Sequence, residues 1–202
     1  MISFVMASSK FRSEAGSESF LEGKLLIAMP GMPDPRFEKS VIFMCAHSAQ
    51  GAMGLIINKP IAGLTLRDLM PKFSADTAMH VFDAPILFGG PVQIDRGYVL
   101  HSAEYGGQES TLAVTNEFSL TATVDVLTAI AEGRGPAKSI LALGYAGWGA
   151  GQIESEIQLN GWIHCDPDTQ LIFDTPCEAK WQNALAKLGA DISGLSAEAG
   201  RA

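Results

Sequence analysis

Cysteine is scarce in this sequence of 202 residues, and its three copies form no motif. Cys45, Cys165 and Cys177 are an odd number with no C-x-x-C pair, so the sequence signals neither a disulfide framework nor a zinc knuckle. A reducing compartment, the cytoplasm, fits this usage best. Cys45 ends the apolar run at residues 41–45, so we predict a small buried core residue there instead of a reactive thiol.

Basic residues are also few. Fourteen Lys and Arg stand against 22 Asp and Glu, which gives a formal net charge of −8, and no run of cations interrupts the chain. A nucleic-acid surface or a polybasic membrane anchor needs clustered positive charge. We therefore expect no direct DNA binding and no membrane attachment.

Long apolar runs are missing as well. No stretch approaches the roughly eighteen apolar residues that a membrane span requires. Residues 1–19 lack the apolar core of a signal peptide and are rich in Ser and Glu, so we predict a flexible tail. Residues 20–202 are expected to form a single domain, because a chain of this length favours one core.

Short apolar runs bounded by Gly, Pro or Asn dominate the first half and predict strands at residues 25–28, 41–45, 54–57, 86–88 and 98–100. The loop at residues 47–51 has hairpin length, so the second and third of these strands should be antiparallel neighbours, with His47 at a sheet end. Strands come early and helices are interspersed later, without regular βαβ alternation. This order favours an α+β fold with a mixed or antiparallel sheet.

Four helices are predicted from caps and apolar spacing. The first has Thr65 as its N-cap, with Asp68 in its first turn, and ends near Pro71. The second spans residues 122–132, and the third spans residues 149–159. The fourth opens on a capping box from Thr175 to Glu178 and ends at Gly189. The expected core faces of the second, third and fourth helices are, in that order, Val124, Leu127, Ile130 and Ala131; Ile153 and Ile157; and Trp181, Ala184, Leu185 and Leu188.

The richest segment in glycine spans residues 143–154, where Gly144, Gly147, Gly149 and Gly151 follow a predicted strand at 140–143. A glycine-rich turn before a helix resembles a phosphate-binding loop in outline. The segment lacks G-K-[ST] and the G-x-G-x-x-G spacing, and Glu154 and Glu156 would repel an anion. We interpret these glycines as a tight turn packed around Trp148.

No catalytic residue, metal site or cofactor is assigned. Gly89 and Gly90 suggest an oxyanion hole and His101 a base, but the neighbouring Ser102 points to the opposite face of the strand. The four histidines show neither H-E-x-x-H nor H-x-H spacing.

Four blocks of the sequence resemble the AlgH/YqgE family of bacterial proteins, in the same order and with similar spacing. They are residues 21–41, residues 51–60, residues 89–92 with 98–101, and residues 144–154 with Asn160 and Trp162. The resemblance implies a mixed, mostly antiparallel bifurcated sheet that forms a pseudo-barrel with helices packed outside. One branch of the family is described as a transcriptional regulator, which implies a regulatory and indirect role here.

Three functions remain open. The first is a non-enzymatic binding or regulatory protein that acts through an unknown protein or small-molecule partner. The second is an enzyme or a nucleotide- or small-ligand-binding protein whose site gathers His47, Asn58, His101 and Glu154, and the third is direct DNA binding. The candidate ligand or partner surface comprises His47, Asn58, Gly89, Gly90, His101, Tyr145, Trp148, Glu154, Asn160 and Trp162.

Overall fold

The computed structural model describes residues 20–69, 83–106 and 110–189. Ten strands in these ranges form one sheet. They are β1 (Leu25–Ala28), β2 (Val41–Ser48), β3 (Gly51–Ile56), β4 (Pro60–Thr65), β5 (Pro85–Phe88), β6 (Val92–Ser102), β7 (Thr111–Ala113), β8 (Phe118–Thr121), β9 (Ser139–Gly149) and β10 (Trp162–Cys165). The predicted tail at residues 1–19 lies outside the described residues.

The sheet branches at β9. Its main order is β10-β1-β2-β3-β9-β6-β8-β7, and β6 pairs along one edge of β9. The other edge is shared, because β5 pairs with Ala142 and Leu143 while β3 pairs with residues 146–149. Among the described strands only β5 and β9 run parallel, and the sheet curls into a half-barrel. The predicted α+β class and the mostly antiparallel bifurcated sheet are confirmed.

Four α-helices and one π-helical turn accompany the described strands. They are α1 (Leu66–Leu69), α2 (Val124–Ala131), α3 (Gln152–Gln158), the π-turn (Gln170–Asp174) and α4 (Cys177–Lys187). Each longer helix buries one apolar face in a separate core cluster. Helix α2 packs with β6 and β9, α3 packs beside Trp148 and Trp162, and α4 packs against the cluster around Phe43. No helix among the described residues combines the length and the apolarity that crossing a membrane requires.

The predicted hairpin is confirmed, since Phe43 pairs with Leu55 in antiparallel register. Cys45 is fully buried, as predicted, and burial raises the pKa of its thiol above the ordinary value. The sequence patterns did not predict β4, β7, β8 and β10. These strands are short, and β4 contains both proline and glycine, which propensity assigns to turns.

The predicted turn after Leu143 was wrong. Strand β9 continues to Gly149, and only Ala150 and Gly151 turn before α3. Neighbouring strands impose this state, because Trp148 pairs with Ala52 and Gly149 pairs with Gly51 in β3. The tertiary sheet overrides the turn preference of glycine.

Two helix details also differ. The capping box was wrong, because α4 begins at Cys177 behind Pro176, and the Thr175 hydroxyl donates to the carbonyl of Gln170. Val124 was wrong as a core residue, since it is 52% exposed.

The first helix begins directly after Thr65, and the Asp68 carboxylate accepts hydrogen bonds from the Thr65 amide and hydroxyl. Pro71 lies outside the described residues.

Candidate functional site

His47 has both ring nitrogens bound to protein groups. The backbone N–H of Leu21 donates to Nδ1 at 2.9 Å, so that nitrogen carries no proton in the neutral ring. Nε2 then carries the proton and donates to the Glu154 carboxylate at 2.8 Å. The side chain is only 3% exposed. No ring nitrogen of His47 is left for a metal, a substrate proton or a ligand.

Glu156, which sequence reasoning did not place among the candidates, holds both buried tryptophans of this region. Its Oε2 accepts from Trp148 Nε1 at 3.0 Å and from Trp162 Nε1 at 2.8 Å. Its Oε1 accepts from the Gln152 amide at 2.9 Å, and the two indoles meet edge to face with centroids 6.0 Å apart. We call Trp148, Gln152, Glu156 and Trp162 the indole–carboxylate cluster. The carboxylate accepts three hydrogen bonds from inside the protein, so the cluster is a structural anchor with little capacity for a ligand.

Gly89 and Gly90 allow the backbone that follows β5 to lie directly against the backbone of β9. A Cβ on Gly90, whose φ is +151°, would lie 2.1 Å from the carbonyl carbon of Tyr145. A Cβ on Gly89 would lie 2.3 Å from the carbonyl oxygen of Gly144. The Gly89 N–H already donates to the Leu143 carbonyl at 2.8 Å. That amide therefore does not serve an oxyanion hole, and these glycines serve backbone packing.

His101 lies at the other end of β9, opposite Ser139. Its Nδ1 donates to the Ser102 carbonyl at 3.0 Å, because a carbonyl can only accept. Nε2 therefore accepts from the Thr121 hydroxyl at 2.8 Å, and Thr121 in turn accepts from Thr111 at 2.8 Å. Burial lowers the pKa of His101. The ring is a neutral, fully bonded core residue without a free nitrogen for catalysis.

The burial of His101 should make the free energy of unfolding depend on pH. The unfolded chain takes up a proton on His101 below about pH 6.5, before the folded protein does, so the free energy of unfolding contributed by this residue falls as the pH drops through that value. Urea denaturation at pH 7.5 and 5.5 should show a smaller acid loss in His101→Gln than in wild type. The matched control is His164→Gln, at an exposed histidine. An unchanged pH dependence in His101→Gln would contradict the neutral, buried assignment.

The remaining candidates have separate structural roles. The Asn58 side chain accepts from the Val41 amide and donates to the Lys39 carbonyl, both at 2.8 Å, and so fixes the start of β2. Tyr145 packs edge to face against Tyr98. Asn160 has φ of +58° in the turn after α3 and is exposed.

The structure gathers part of the candidate set and separates the rest. His47, Trp148, Glu154 and Trp162 lie around the start of α3, because His47 and Trp148 both pair with Ala52. Asn58 lies at the opposite end of β2, and His101 lies at the opposite end of β9. The four-residue site of the enzyme hypothesis is therefore reduced to the His47–Glu154 contact. The described residues contain no group of three or more potential metal ligands.

A large open feature lies on another part of the molecule. A cleft of about 910 Å³ opens between α2, β5, β9 and the region that joins the π-turn to α4. We call it the cleft. Its walls are mainly apolar and include Leu66, Leu87, Val99, Leu127, Ile140 and Phe173.

Few charged groups line the cleft, and Lys180 differs from the others. It is 2% exposed, and its ammonium donates to the Ile172 carbonyl with one of its three N–H groups. Burial lowers the pKa of Lys180. Lys138 is instead paired with Asp174, and Glu178 is exposed. Lys180 therefore keeps unused donors at an apolar wall within the described part of the chain.

The sequence carried one weak signal for Lys180. This cation falls on the apolar stripe of α4, directly before Trp181 and four residues before Ala184. A lysine on such a stripe usually extends its ammonium to solvent. Only the packing of the π-turn over α4 shows that the Lys180 ammonium stays buried.

Comparison with known proteins supplies the family. The AlgH-like family model matches residues 25–193. This chain belongs to that family. It is 51% identical to a UPF0301 protein of Methylobacterium nodulans over 94% of this chain and 93% of the relative. A UPF0301 protein of Jannaschia is also 51% identical, over 90% of this chain and 95% of the relative.

Solved structures share the fold. The solution structure of the AlgH protein from Pseudomonas aeruginosa is 43% identical, with a TM-score of 0.72 over 94% of this chain and all of that chain. A crystal structure of protein DIP2367 from Corynebacterium diphtheriae is 19% identical, with a TM-score of 0.67 over 87% of this chain and 90% of that chain. The second likeness concerns the fold alone.

Proposed function

We propose that this protein is a non-enzymatic binding protein whose ligand is a small molecule held in the cleft. The cleft itself supports this proposal, because a volume of about 910 Å³ whose walls are more apolar than polar is typical of small-molecule sites. The cleft is separate from the glycine-rich segment and uses residues of α2, β5, β9 and α4.

The state of the histidines supports binding over catalysis. His47 and His101 each have both ring nitrogens engaged by protein groups. A general base needs a nitrogen within hydrogen-bond reach of its substrate. Cys45 and Cys177 have raised thiol pKa values because of burial, which disfavours the nucleophilic thiolate.

A partner-protein surface built from the ten candidate residues is less favoured. Trp148, Trp162 and His47 are each less than a tenth exposed, and His101 is fully buried. Side chains at this depth contribute little to a contact with another protein. Glu154 and Asn160 are exposed but polar, whereas the anchors of a protein interface are usually aromatic residues or arginine.

The charge of the protein favours a regulatory role that does not involve direct DNA binding. The net charge is −8, and acidic neighbours pair with many of the cations. These pairs involve Lys24, Arg36, Arg67, Arg134, Lys138 and Lys187. DNA binding requires unpaired cations on one face. We therefore propose a cytoplasmic protein whose regulatory output depends on the ligand in the cleft.

The test compares two alanine-to-tryptophan variants. Ala137→Trp places an indole in the cleft, and Ala113→Trp places one on the exposed edge strand β7 outside it. Thermal unfolding is measured with octanol, octanoate and octanamide. We expect ligand-dependent stabilisation of wild type and of Ala113→Trp, and a shift reduced to about a third or less in Ala137→Trp. Equal shifts in both variants, or no shift in wild type, would contradict the proposed site.

A further inference from the structure

Lys180 is buried and forms no salt bridge within the described part of the chain. It lies in α4 one turn after Cys177, and its side chain reaches the Ile172 carbonyl of the π-turn. Asp174 on the cleft wall attracts the Lys180 ammonium through space, but its carboxylate is bound to Lys138. Two of the three ammonium donors are therefore unmatched by acceptors among the described residues.

This arrangement is unfavourable for the protein alone. Removing an ammonium from water is strongly unfavourable unless acceptors replace the lost hydration. A single carbonyl replaces only part of it. The cost is offset when a bound ligand supplies further acceptors and a negative charge.

The charges around the cleft limit what that ligand is. A single buried cation balances a single negative charge. Lys138 and Asp174 also line the cleft but are paired with each other, whereas the exposed Glu178 repels a group with more than one negative charge, such as a phosphate monoester or a nucleotide. The apolar residues that line the cleft, including Leu127 and Ile140, favour a ligand with a hydrocarbon or aromatic body.

We infer that the ligand of the cleft is an apolar monocarboxylate and that Lys180 binds its carboxylate. The two carboxylate oxygens accept the N–H groups that the Ile172 carbonyl leaves unmatched. The hydrocarbon part lies against α2 and β9. This inference rests on the proposed function, because it names the ligand class of the same cleft.

Calorimetric titration with octanoate, octanol and monooctyl phosphate tests the inference on wild type, Lys180→Met and Lys187→Met. Methionine keeps most of the length of the side chain, removes its charge and suits apolar surroundings. Lys187 is a matched control on the same helix, paired with Asp168 at the surface.

Wild type should bind octanoate about tenfold or more tightly than octanol or the phosphate. Lys180→Met should lose that preference and keep its octanol affinity, while Lys187→Met should behave as wild type. Undiminished octanoate binding by Lys180→Met overturns the inference but leaves the cleft as the binding site. Preference for the phosphate overturns the carboxylate assignment, and binding of none of the three by wild type overturns the proposed function with it.

A second measurement needs no variant. In wild-type protein labelled with 15N, octanoate should shift the amide resonances around Lys180 and Phe173 more than octanol does at equal saturation. Equal shifts with both ligands would exclude a specific role for the ammonium.

Discussion

Gly90→Ala should lower the free energy of unfolding by about 4 kcal/mol or more. The added Cβ would lie 2.1 Å from the Tyr145 carbonyl carbon and 2.3 Å from the Ala146 nitrogen. These are backbone atoms inside the sheet, so they cannot move aside as a flexible side chain can. The φ of +151° is also a conformation that alanine rarely adopts. Urea denaturation followed by far-UV circular dichroism measures the loss.

Gly133→Ala is the matched control for this substitution. Gly133 has φ of +70° after α2, and no atom lies within 4 Å of the position that a Cβ would occupy there. Its replacement tests the backbone preference without a steric clash, and we expect a loss of about 1 kcal/mol. If the two variants lose the same amount, the close contact between Gly90 and Tyr145 is not what requires glycine.

Glu156→Ala should lower the free energy of unfolding by about 3 kcal/mol, because it leaves two indole N–H groups without an acceptor. Trp148 and Trp162 are 7% and 3% exposed, so water replaces the carboxylate poorly. The edge-to-face contact of the two rings should loosen as well. Denaturation followed by tryptophan fluorescence gives the stability, and near-UV circular dichroism reports the packing of the rings.

Glu154→Ala is the control on the same helix. Glu154 is 48% exposed and accepts one hydrogen bond, from His47. We expect a loss of about 1 kcal/mol, since only one donor, the His47 Nε2–H, loses its acceptor, compared with two indole N–H groups in Glu156→Ala. A larger loss for Glu154→Ala than for Glu156→Ala would contradict the role given to the indole–carboxylate cluster.

Local sequence patterns predicted the central hairpin well. The run ending at Cys45 and the run around Leu55 are apolar, short and separated by a loop of hairpin length. Such a pair needs no information from distant residues. The bifurcated sheet, in contrast, came from the family resemblance, since no local pattern indicates that β3 and β5 share one edge of β9.

The glycine-rich segment shows where local reasoning fails. Glycine favours turns when only neighbours in sequence are considered. Here the strand extends to Gly149 because β3 supplies pairing partners such as Ala52, about 100 positions away in the chain. Of the segment's glycines, Gly144 makes a close backbone contact, since a Cβ there would lie 2.4 Å from the Gly90 carbonyl oxygen, whereas Gly149 and Gly151 make none. The acceptor that holds the indole, Glu156, could be found only once α3 was placed beside β9.

The cleft could not be predicted for a similar reason. Its walls come from segments far apart in sequence, from Leu66 in α1 to Lys180 in α4. Lysine at position 180 has an ordinary helix propensity and forms no motif. Its burial depends on the π-turn, a rare element that the local sequence pattern does not indicate.

Amide hydrogen exchange with and without octanoate tests the location of the site most directly. We predict slower exchange in residues 133–141 and 173–180, which line the cleft, and unchanged exchange in residues 144–162. Protection confined to residues 144–162, around Trp148 and Glu154, would contradict the proposed site. It would place the ligand at the glycine-rich segment instead.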